Sequence, residues 1–299
     1  MRIRGVFPPI TTPFDRQEVD LTGLRRNARR WMRTKLAGLV ALGSNGEAPF
    51  LDEEESYAVI SVVREEVPRD RVLVAGTGRE TTRATIAASE RAAGAGADIA
   101  LVRTPSFYKS RMTSEVFVKH YTAVADASPI PIILYNFTAV TGVSLPASVA
   151  SELARHPNIV GMKESNPDLA QIAELVERTP ENFSVLCGSA PTVYPSLCVG
   201  AAGAILALAC VVPELCVRLY DLVQEGRHAE ALALQRQLTP LGRLVTSDHG
   251  IPGLKVALDL AGYVGGDPRP PLLPPGAAAI EAIRDQLGIL MELTVENAS

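Results

Sequence analysis

Asn158-Ile159-Val160-Gly161-Met162-Lys163-Glu164-Ser165 is the stretch of sequence that decides the fold of this chain. A mostly apolar run leads directly into Lys163, and Asn166-Pro167 then supplies a cap residue and a first-turn proline, which predict a helix start. The pattern predicts a buried strand that ends in an ammonium group, and such burial is costly unless the charge has a use. The alternative is that Lys163 surfaces where its strand ends and pairs with Glu164.

Strand and helix signals alternate along most of the chain at a spacing of about 25–30 residues, the size of a βα unit. The predicted strands lie near Val6–Thr12, Leu39–Gly43, Arg71–Gly76, Asp98–Arg103, Ile130–Tyr135, Asn158–Lys163, Phe183–Gly188 and Gly203–Ala207. Apolar strands of this kind are typical of a parallel sheet covered by helices. Eight such units favour an α/β fold of the closed (β/α)8 TIM barrel type over an open doubly wound sheet. No glycine-rich nucleotide-binding loop follows any of these strands.

The last quarter of the chain has a different pattern. Strand signals stop near Gly226, and helical patterns continue near His228–Leu241, Gly253–Leu260 and Ala277–Leu287. Residues 1–225 are therefore predicted to form the catalytic barrel. Residues 226–299 are predicted to form a C-terminal helical extension, packed on the barrel or on a neighbouring subunit.

Composition is that of an ordinary enzyme with one sizeable core. Of 299 residues, 47% are hydrophobic and 21% are charged. The net charge is −4 and no basic run is present, so we expect neither a nucleic-acid partner nor a membrane surface as partner. No signal-peptide pattern or spanning segment is seen, which predicts a cytoplasmic protein. The expected buried free thiols are Cys187, Cys198, Cys210 and Cys216.

Active sites of such barrels gather where the C-terminal ends of the strands meet the βα loops. Lys163 and Tyr135 end neighbouring predicted strands, which lie about 4.8 Å apart, so their side chains could meet above the barrel mouth. A desolvated lysine amine can attack a carbonyl to form a Schiff base. Tyr135 could then act as general acid and base. The alternative for Tyr135 is a core aromatic that caps the barrel.

Small polar residues follow the second predicted strand. In Gly43-Ser44-Asn45-Gly46-Glu47 the glycines flank Ser44 and Asn45, so that successive backbone amides could turn inward and hold a substrate carboxylate. The alternative is a plain strand-to-loop turn. Glu47 is expected to brace this loop rather than to perform chemistry.

Other strand ends add fewer signals. Phe107 and Tyr108 follow the fourth strand, and these aromatics could line the pocket or a subunit contact. Gly188 follows the seventh strand and would permit a close approach to a ligand. No metal is expected, because the histidines are scattered and none lies at a predicted strand end. These histidines are His120, His156, His228 and His249.

The motifs together resemble the dihydrodipicolinate synthase and N-acetylneuraminate lyase superfamily of class I, Schiff-base barrels. The matching segments, which span nearly the whole chain in order, are Pro9–Phe14, Gly43–Glu47, Tyr135-Asn136 with Thr141-Gly142, Gly161–Ser165, Gly250–Lys255 and Arg269–Leu272. The resemblance implies a lyase that needs no cofactor beyond a covalent imine.

The resemblance also implies roles for single residues. Lys163 would form the imine with the keto carbon of pyruvate or another 2-oxo acid, and Tyr135 would relay protons. Ser44 would join a hydroxyl relay with Tyr135 and with Tyr108, the latter reaching in from a neighbouring subunit. The family is commonly a homotetramer built as a dimer of dimers, and the same assembly is expected here.

The substrate-binding set implied by the resemblance surrounds the lysine. Ser44 and Asn45 would hold the carboxylate, while Gly188 and Ile205 would border the pocket and the lysine. Ser165, two residues past the lysine, completes this set with Val140.

The loop after Tyr135 departs from the synthase pattern. The synthases carry an arginine between Tyr135-Asn136 and Thr141-Gly142, and Val140 stands in its place here. The distal carboxylate of aspartate semialdehyde would lose its bidentate partner. The Gly43–Glu47 loop and Ser165 resemble the 4-hydroxy-2-oxoglutarate aldolase branch most closely.

The expected activity is therefore cleavage of 4-hydroxy-2-oxoglutarate-like substrates to pyruvate and an aldehyde such as glyoxylate. Alternatives are a 2-keto-3-deoxy sugar-acid aldolase or dehydratase, a dihydrodipicolinate synthase, and a non-catalytic barrel that binds a keto acid. Retention of both Lys163 and Tyr135 argues against the non-catalytic barrel, because ligand binding alone needs no imine-forming pair.

Overall fold

The computed structural model describes residues 2–296, and the side chains of residues 2–293. Its strands are β1 (Gly5–Phe7), β2 (Phe14–Asp15), β3 (Glu18–Val19), β4 (Gly38–Ala41), β5 (Val72–Gly76), β6 (Ile99–Arg103), β7 (Ile132–Asn136), β8 (Ile159–Glu164), β9 (Ser184–Cys187) and β10 (Gly203–Ile205).

Within the described residues, eight of these strands form one parallel sheet in the order β1, β10, β9, β8, β7, β6, β5, β4. The two ends of the sheet are joined just past β1. There the amide of Ile10 donates to the carbonyl of Val40 at 2.9 Å, and the amide of Val40 donates to the carbonyl of Pro8 at 3.0 Å. The predicted (β/α)8 barrel is confirmed.

Helices cover the outside of the barrel and continue beyond the last strand to the end of the described residues. They are α1 (Leu21–Trp31), α2 (Glu53–Glu66), α3 (Thr82–Gly94), α4 (Ser114–Ala127), α5 (Thr138–Thr141), α6 (Ala147–Leu153), α7 (Leu169–Arg178), α8 (Val193–Cys198), α9 (Pro213–Gln224), α10 (His228–Arg243), α11 (Gly250–Leu260) and α12 (Ala277–Glu296). Over the described part of the chain, none of the helices has the length and apolar character needed to cross a membrane.

Side chains that alternate in direction along each strand contribute to two separate hydrophobic cores, one inside the barrel and one between the strands and the helices. On β7, Ile133 and Tyr135 belong to a small cluster inside the barrel, whereas Ile132 and Leu134 belong to the large cluster between strands and helices. Successive strand residues point to opposite faces, so one strand serves both layers. The residue that ends the inner row of β7 is therefore a tyrosine at the mouth of the barrel.

A register shift between β7 and β8 sets the direction of the lysine. Ile132 pairs with Ile159, but Ile133 pairs with Gly161, so that β8 contains one extra residue at this point. Beyond the shift Tyr135 pairs with Lys163. A bulge of this kind re-aims the side chains that follow it, and here Lys163 shares the inner face with Tyr135.

Two predicted boundaries are wrong for local reasons. The first strand ends at Phe7 because Pro8 and Pro9 cannot donate to a ladder. The helix after the lysine does not begin at Asn166-Pro167. It begins at Leu169 with Asp168 as its cap, because the side chain of Asn166 is used by Glu164 and by the Thr138 amide.

The short antiparallel hairpin of β2 and β3 was not predicted. Its turn residues, Arg16 and Gln17, have positive φ angles of 48° and 72°. Glycine or asparagine normally signals such a turn, so the sequence gives no warning. The expectation of four buried thiols is also wrong at one position, since Cys198 is exposed near the end of α8.

The helices after Gly226 hold the loop that follows β4. The Lys255 ammonium of α11 lies 2.6 Å from the Glu47 carboxylate, and both side chains are almost fully buried. Lys255 also donates to the carbonyl of Asp267 at 2.8 Å, and the Arg269 amide donates to Glu47 at 2.9 Å. Burial lowers the pKa of Lys255, and the Glu47 carboxylate opposes that effect. Glu47 thus braces its loop, as the sequence predicts.

We predict that Lys255→Met lowers the free energy of unfolding by about 3–5 kcal/mol, because it leaves the Glu47 carboxylate buried without its cation. Urea unfolding at a fixed protein concentration measures this change. The matched control is Lys119→Met, since Lys119 pairs with Glu115 on the exposed surface and little change is expected there. Equal stability of the Lys255 and Lys119 variants would contradict the argument.

His120 is a buried histidine between α3 and α4. Its Nδ1 lies 2.9 Å from the Thr82 hydroxyl, and burial lowers the pKa of His120 to about 4. The folded chain therefore favours the neutral ring, whereas the unfolded chain binds the proton below about pH 6.5. The stability that His120 contributes is present above pH 6.5 and is lost as the pH falls toward 4.

We predict that acidification from pH 7 to pH 4 costs the wild-type chain about 3 kcal/mol more unfolding free energy than it costs His120→Gln. Denaturant unfolding of both proteins across this range measures the difference. A stability difference between them that stays constant with pH would rule out His120 as a source of acid sensitivity.

Candidate functional site

Lys163 and Tyr135 meet at the C-terminal mouth of the barrel. They are paired in register on β8 and β7, and they are only 3% and 5% exposed. The Lys163 ammonium nitrogen lies 4.2 Å from the centroid of the Tyr135 ring. A cation at this distance is attracted to the face of the ring, so the tyrosine holds the amine in place while leaving its own hydroxyl for other partners.

The loop after β4 brings a second hydroxyl to the same point. The Ser44 hydroxyl lies 2.9 Å from the Tyr135 hydroxyl. Ser44–Gly46 forms a 3₁₀ turn in which the amides of Gly46 and Glu47 donate to the carbonyls of Gly43 and Ser44. The turn's own hydrogen bonds therefore use the amides of Gly46 and Glu47, and Ser44 and Asn45 are the first two residues of the turn.

A cavity of about 340 Å³ opens above these residues. The polar residues that line it are Ser44, Arg79, Arg103, Ser106, Tyr135 and Thr141, and Val140 is among its apolar lining residues. Lys163 is not part of its wall. It lies just beneath, against the ring of Tyr135. The cavity is the space in which a molecule attached to Lys163 could extend.

The remaining predicted site residues lie around the lysine. Gly188 and Ser165 follow β9 and β8 and touch, since a Cβ on Gly188 would lie 2.1 Å from the Ser165 hydroxyl. Ile205 belongs to the inner cluster that contains Tyr135. Asn45 is half-buried beside Ser44.

Tyr108 does not reach this site within its own chain. It is 70% exposed and stacks edge-on against Phe107, which is 76% exposed. Their loop is held by Glu80, which accepts hydrogen bonds from the amides of Ser106 and Phe107, both at 2.8 Å. An exposed pair of aromatics on an anchored loop is a typical contact surface.

Glu164 faces away from Lys163, toward the helices, and does not pair with it. It accepts hydrogen bonds from the side chains of Asn136, Asn166 and Gln171 at 2.8, 2.6 and 2.6 Å. Burial raises the pKa of Glu164, and the hydrogen bonds oppose that effect. Because Asn136 and Glu164 follow Tyr135 and Lys163 directly, this network fixes the register that brings the tyrosine and lysine together.

Sequence reasoning missed the two arginines of the cavity. Arg103 is the last residue of β6 and pairs in register with Tyr135, so the strand-end rule could have found it. Arg79 lies in the loop after β5, directly after Gly76-Thr77-Gly78, and no local signal marks it as a residue of the cavity. The Arg103 guanidinium lies 2.8 Å from the Glu80 carboxylate.

The histidines lie apart from the cavity wall. His156 lies 3.0 Å from Asp126, and His228 contacts the exposed Cys198. Among the described side chains, those of residues 2–293, no three of His, Cys, Asp or Glu are grouped as ligands of one metal ion would be.

Known proteins share this architecture. Residues 2–289 match the profile of the Dihydrodipicolinate synthetase family. The 4-hydroxy-tetrahydrodipicolinate synthase of Methanoculleus marisnigri is 37% identical over 287 residues, which are 95% of this chain and 98% of the relative.

Two further proteins are similar to this chain over nearly its whole length. A probable mitochondrial 4-hydroxy-2-oxoglutarate aldolase of Emericella nidulans is 33% identical over 297 residues, covering 97% of this chain and 96% of the relative. The crystal structure of YagE from E. coli K12, a protein of the dihydrodipicolinic acid synthase family in complex with pyruvate, has a TM-score of 0.90 at 27% identity. It covers 97% of this chain and 99% of that one.

We predict that Glu164→Gln lowers the free energy of unfolding by about 1–3 kcal/mol. The substitution replaces one acceptor oxygen by an NH₂ group, which faces the amide donors that now bind the carboxylate. Thermal or urea unfolding measures the change. Glu174→Gln is the control, since Glu174 pairs with Arg178 on the surface of α7 and should cost little. If the two variants prove equally stable, Glu164 does not hold the register.

Proposed function

This chain belongs to the Dihydrodipicolinate synthetase family, whose members are lyases and synthases that act through a Schiff base with pyruvate, and on that premise we propose that Lys163 forms the imine. The observation that carries the proposal is the buried, in-register pair of Lys163 and Tyr135 beneath a cavity. Membership of the family confirms the resemblance that the motifs of the sequence indicate.

The proposed reaction begins with attack of the Lys163 amine on the keto carbon of a 2-oxo acid. Loss of water gives a protonated imine, whose positive charge can accept the electrons of the neighbouring C3–C4 bond. In the cleavage direction that bond breaks, the C4 hydroxyl loses its proton, and an aldehyde leaves. The enamine is then protonated at C3, and hydrolysis releases pyruvate and the free amine.

Tyr135 is proposed to move the protons of this sequence. Its hydroxyl is held by Ser44 at 2.9 Å and its ring lies over the lysine, so the oxygen is directed toward the cavity in which the substrate would extend. A positioned acid or base of this kind contributes about 10²–10⁴-fold to rate. The ring would also stabilise the cationic imine, as it stabilises the ammonium group.

The carboxylate next to the keto group is proposed to bind at Ser44 and Asn45. Their amides begin the turn after β4, and their side chains add donors. Ser165 and Gly188 lie close on the other side of the lysine, and the absence of a side chain at Gly188 is what lets Ser165 come so near. Fixing the carboxylate fixes the keto carbon, which supplies much of the rate gain.

Tyr108 is proposed to complete the relay of a neighbouring copy in a homotetramer. The exposed Phe107–Tyr108 pair, held in place by Glu80, supports this assignment. In that arrangement, each site would combine Ser44 and Tyr135 of one chain with the Tyr108 hydroxyl of the next.

The first candidate for the full reaction is condensation of pyruvate with aspartate semialdehyde, as in the synthases, which is what the 37%-identical relative supports. The second is cleavage of 4-hydroxy-2-oxoglutarate to pyruvate and glyoxylate. The second is supported by a departure from the synthase pattern, since Val140 lines the cavity where the synthases would offer an arginine. In both reactions the substrate attached to Lys163 would carry a second carboxylate, distant from the keto carbon, that extends into the cavity.

We predict that pyruvate with borohydride adds the mass of one reduced pyruvate to the chain, and that peptide mass spectrometry places it on Lys163. Lys163→Ala should lose the adduct and remain folded, since alanine fits the same strand. Tyr135→Phe should keep the adduct but lower turnover by about 10²–10⁴-fold.

Folded protein that forms no adduct on Lys163 would overturn the Schiff-base assignment and leave a barrel that only binds keto acids. With the adduct established, initial rates decide between the candidates. The panel pairs pyruvate with aspartate semialdehyde in one arm, and offers 4-hydroxy-2-oxoglutarate and 2-keto-3-deoxy sugar acids in the others.

A further inference from the structure

Two arginines form part of the wall of the cavity above Tyr135. Of the described residues that line it, Arg79 and Arg103 alone carry a full charge, and both charges are positive. A half-buried pair of cations with no anion in the same wall favours a negatively charged ligand group there.

The strand register places Arg103 on the same face as the proposed chemistry. Arg103 on β6 pairs with Tyr135 on β7, and Tyr135 pairs with Lys163 on β8. Partners in a parallel sheet point to the same side, and adjacent strands are about 4.8 Å apart. Arg103 therefore stands two strands from the lysine, with the tyrosine between them.

The local sequence makes room for Arg103. A Cβ on Gly78 would lie 2.6 Å from the Arg103 amide nitrogen and 2.7 Å from its Cγ. Any larger residue at position 78 would push the arginine stem away from the cavity. The glycine after β5 thus admits the arginine at the end of β6.

The described contacts of the two arginines leave donors for a ligand. Arg103 uses only Nη1, toward Glu80 at 2.8 Å and the Thr104 carbonyl at 3.1 Å. Arg79 uses Nε toward Glu53 at 3.6 Å and Nη1 toward the Gly78 carbonyl at 3.3 Å. The two carboxylates, which are outside the cavity wall, orient the guanidinium groups while other N–H groups remain for a bidentate contact.

We propose that Arg79 and Arg103 bind the distal carboxylate of a dicarboxylic 2-oxo acid attached to Lys163. The proposal rests on the proposed function and names the substrate class of that site. In this arrangement Ser44 and Asn45 hold the carboxylate beside the imine, and the arginines hold the one at the far end. The cationic group that Val140 cannot supply comes instead from β6 and from the loop after β5.

The test compares two keto acids of equal chain length. 2-Oxoglutarate carries the distal carboxylate and 2-oxopentanoate does not. The concentration that half-saturates borohydride trapping on Lys163 is measured for each. We expect the wild-type protein to be half-saturated at a lower concentration of 2-oxoglutarate than of 2-oxopentanoate. Arg103→Gln and Arg79→Gln should each raise the half-saturating concentration of 2-oxoglutarate by roughly tenfold or more. The half-saturating concentration of 2-oxopentanoate should stay within about a factor of two.

Two control variants separate recognition from folding. Arg91→Gln removes an arginine that also pairs with Glu53 but does not line the cavity, and its preference should match the wild type. Arg103→Lys keeps the charge and should keep part of the preference. If Arg103 only braces its loop through Glu80, Arg103→Gln will raise the half-saturating concentrations of both keto acids by the same factor, and that result overturns the proposal.

The proposal and the Schiff-base function can fail separately. If no keto acid forms an adduct, the Schiff-base function fails, and calorimetry with glutarate and pentanoate tests the arginines on the same variants. Binding of glutarate that is lost in Arg103→Gln would support the carboxylate site. Absence of a preference for the dicarboxylate in the wild-type protein, in trapping and in calorimetry, would overturn it.

Discussion

The pairing of β7 with β8 is the constraint on which the site depends. A one-residue shift at Ile133 and Gly161 brings Tyr135 opposite Lys163 on the inner face. One step further along, Asn136 pairs with Glu164 on the outer face, where amide donors surround the carboxylate. Because a slip by one residue would turn every side chain to the other face, the outer network protects the inner pair. A polar cluster outside the cavity wall thus determines where the amine lies.

A second constraint links the end of the chain to the same mouth. Glu47 has a left-handed backbone with φ of 55°, which an L-residue adopts only when its surroundings hold it there. Lys255 and the Arg269 amide provide that hold. The segment that contains Ser44 and Asn45 is therefore shaped by residues more than two hundred positions away. This accounts for the motifs Gly250–Lys255 and Arg269–Leu272, which carry no groups of the cavity themselves.

Much of this architecture can be predicted from the sequence, because parallel strands are apolar throughout and their ends converge. That argument predicts the barrel, and it brings Lys163, Tyr135 and the loop of Ser44 together at the barrel mouth. It fails where the local conformation depends on a contact with a residue distant in sequence, or on a turn that no typical turn residue marks. Nothing near Arg16 predicts a turn, and Asn166 resembles a helix cap until Glu164 is seen to use it. The tertiary partner outweighs the local preference in each case.

The proposed carboxylate site at Arg79 and Arg103 would let a barrel change its substrate without changing its chemistry. Lys163, the proposed site of the imine, lies beneath Tyr135 on strands that are held in register by their ladder. The cavity above is built from separate loops and strand ends, so a positive charge can be provided from β6 and the loop after β5 as readily as from the loop after β7. Absence of an arginine at Val140 therefore does not mean absence of a cation in the cavity. What a second carboxylate requires is a guanidinium group within reach of the bound chain, and convergent strand ends offer several places for it.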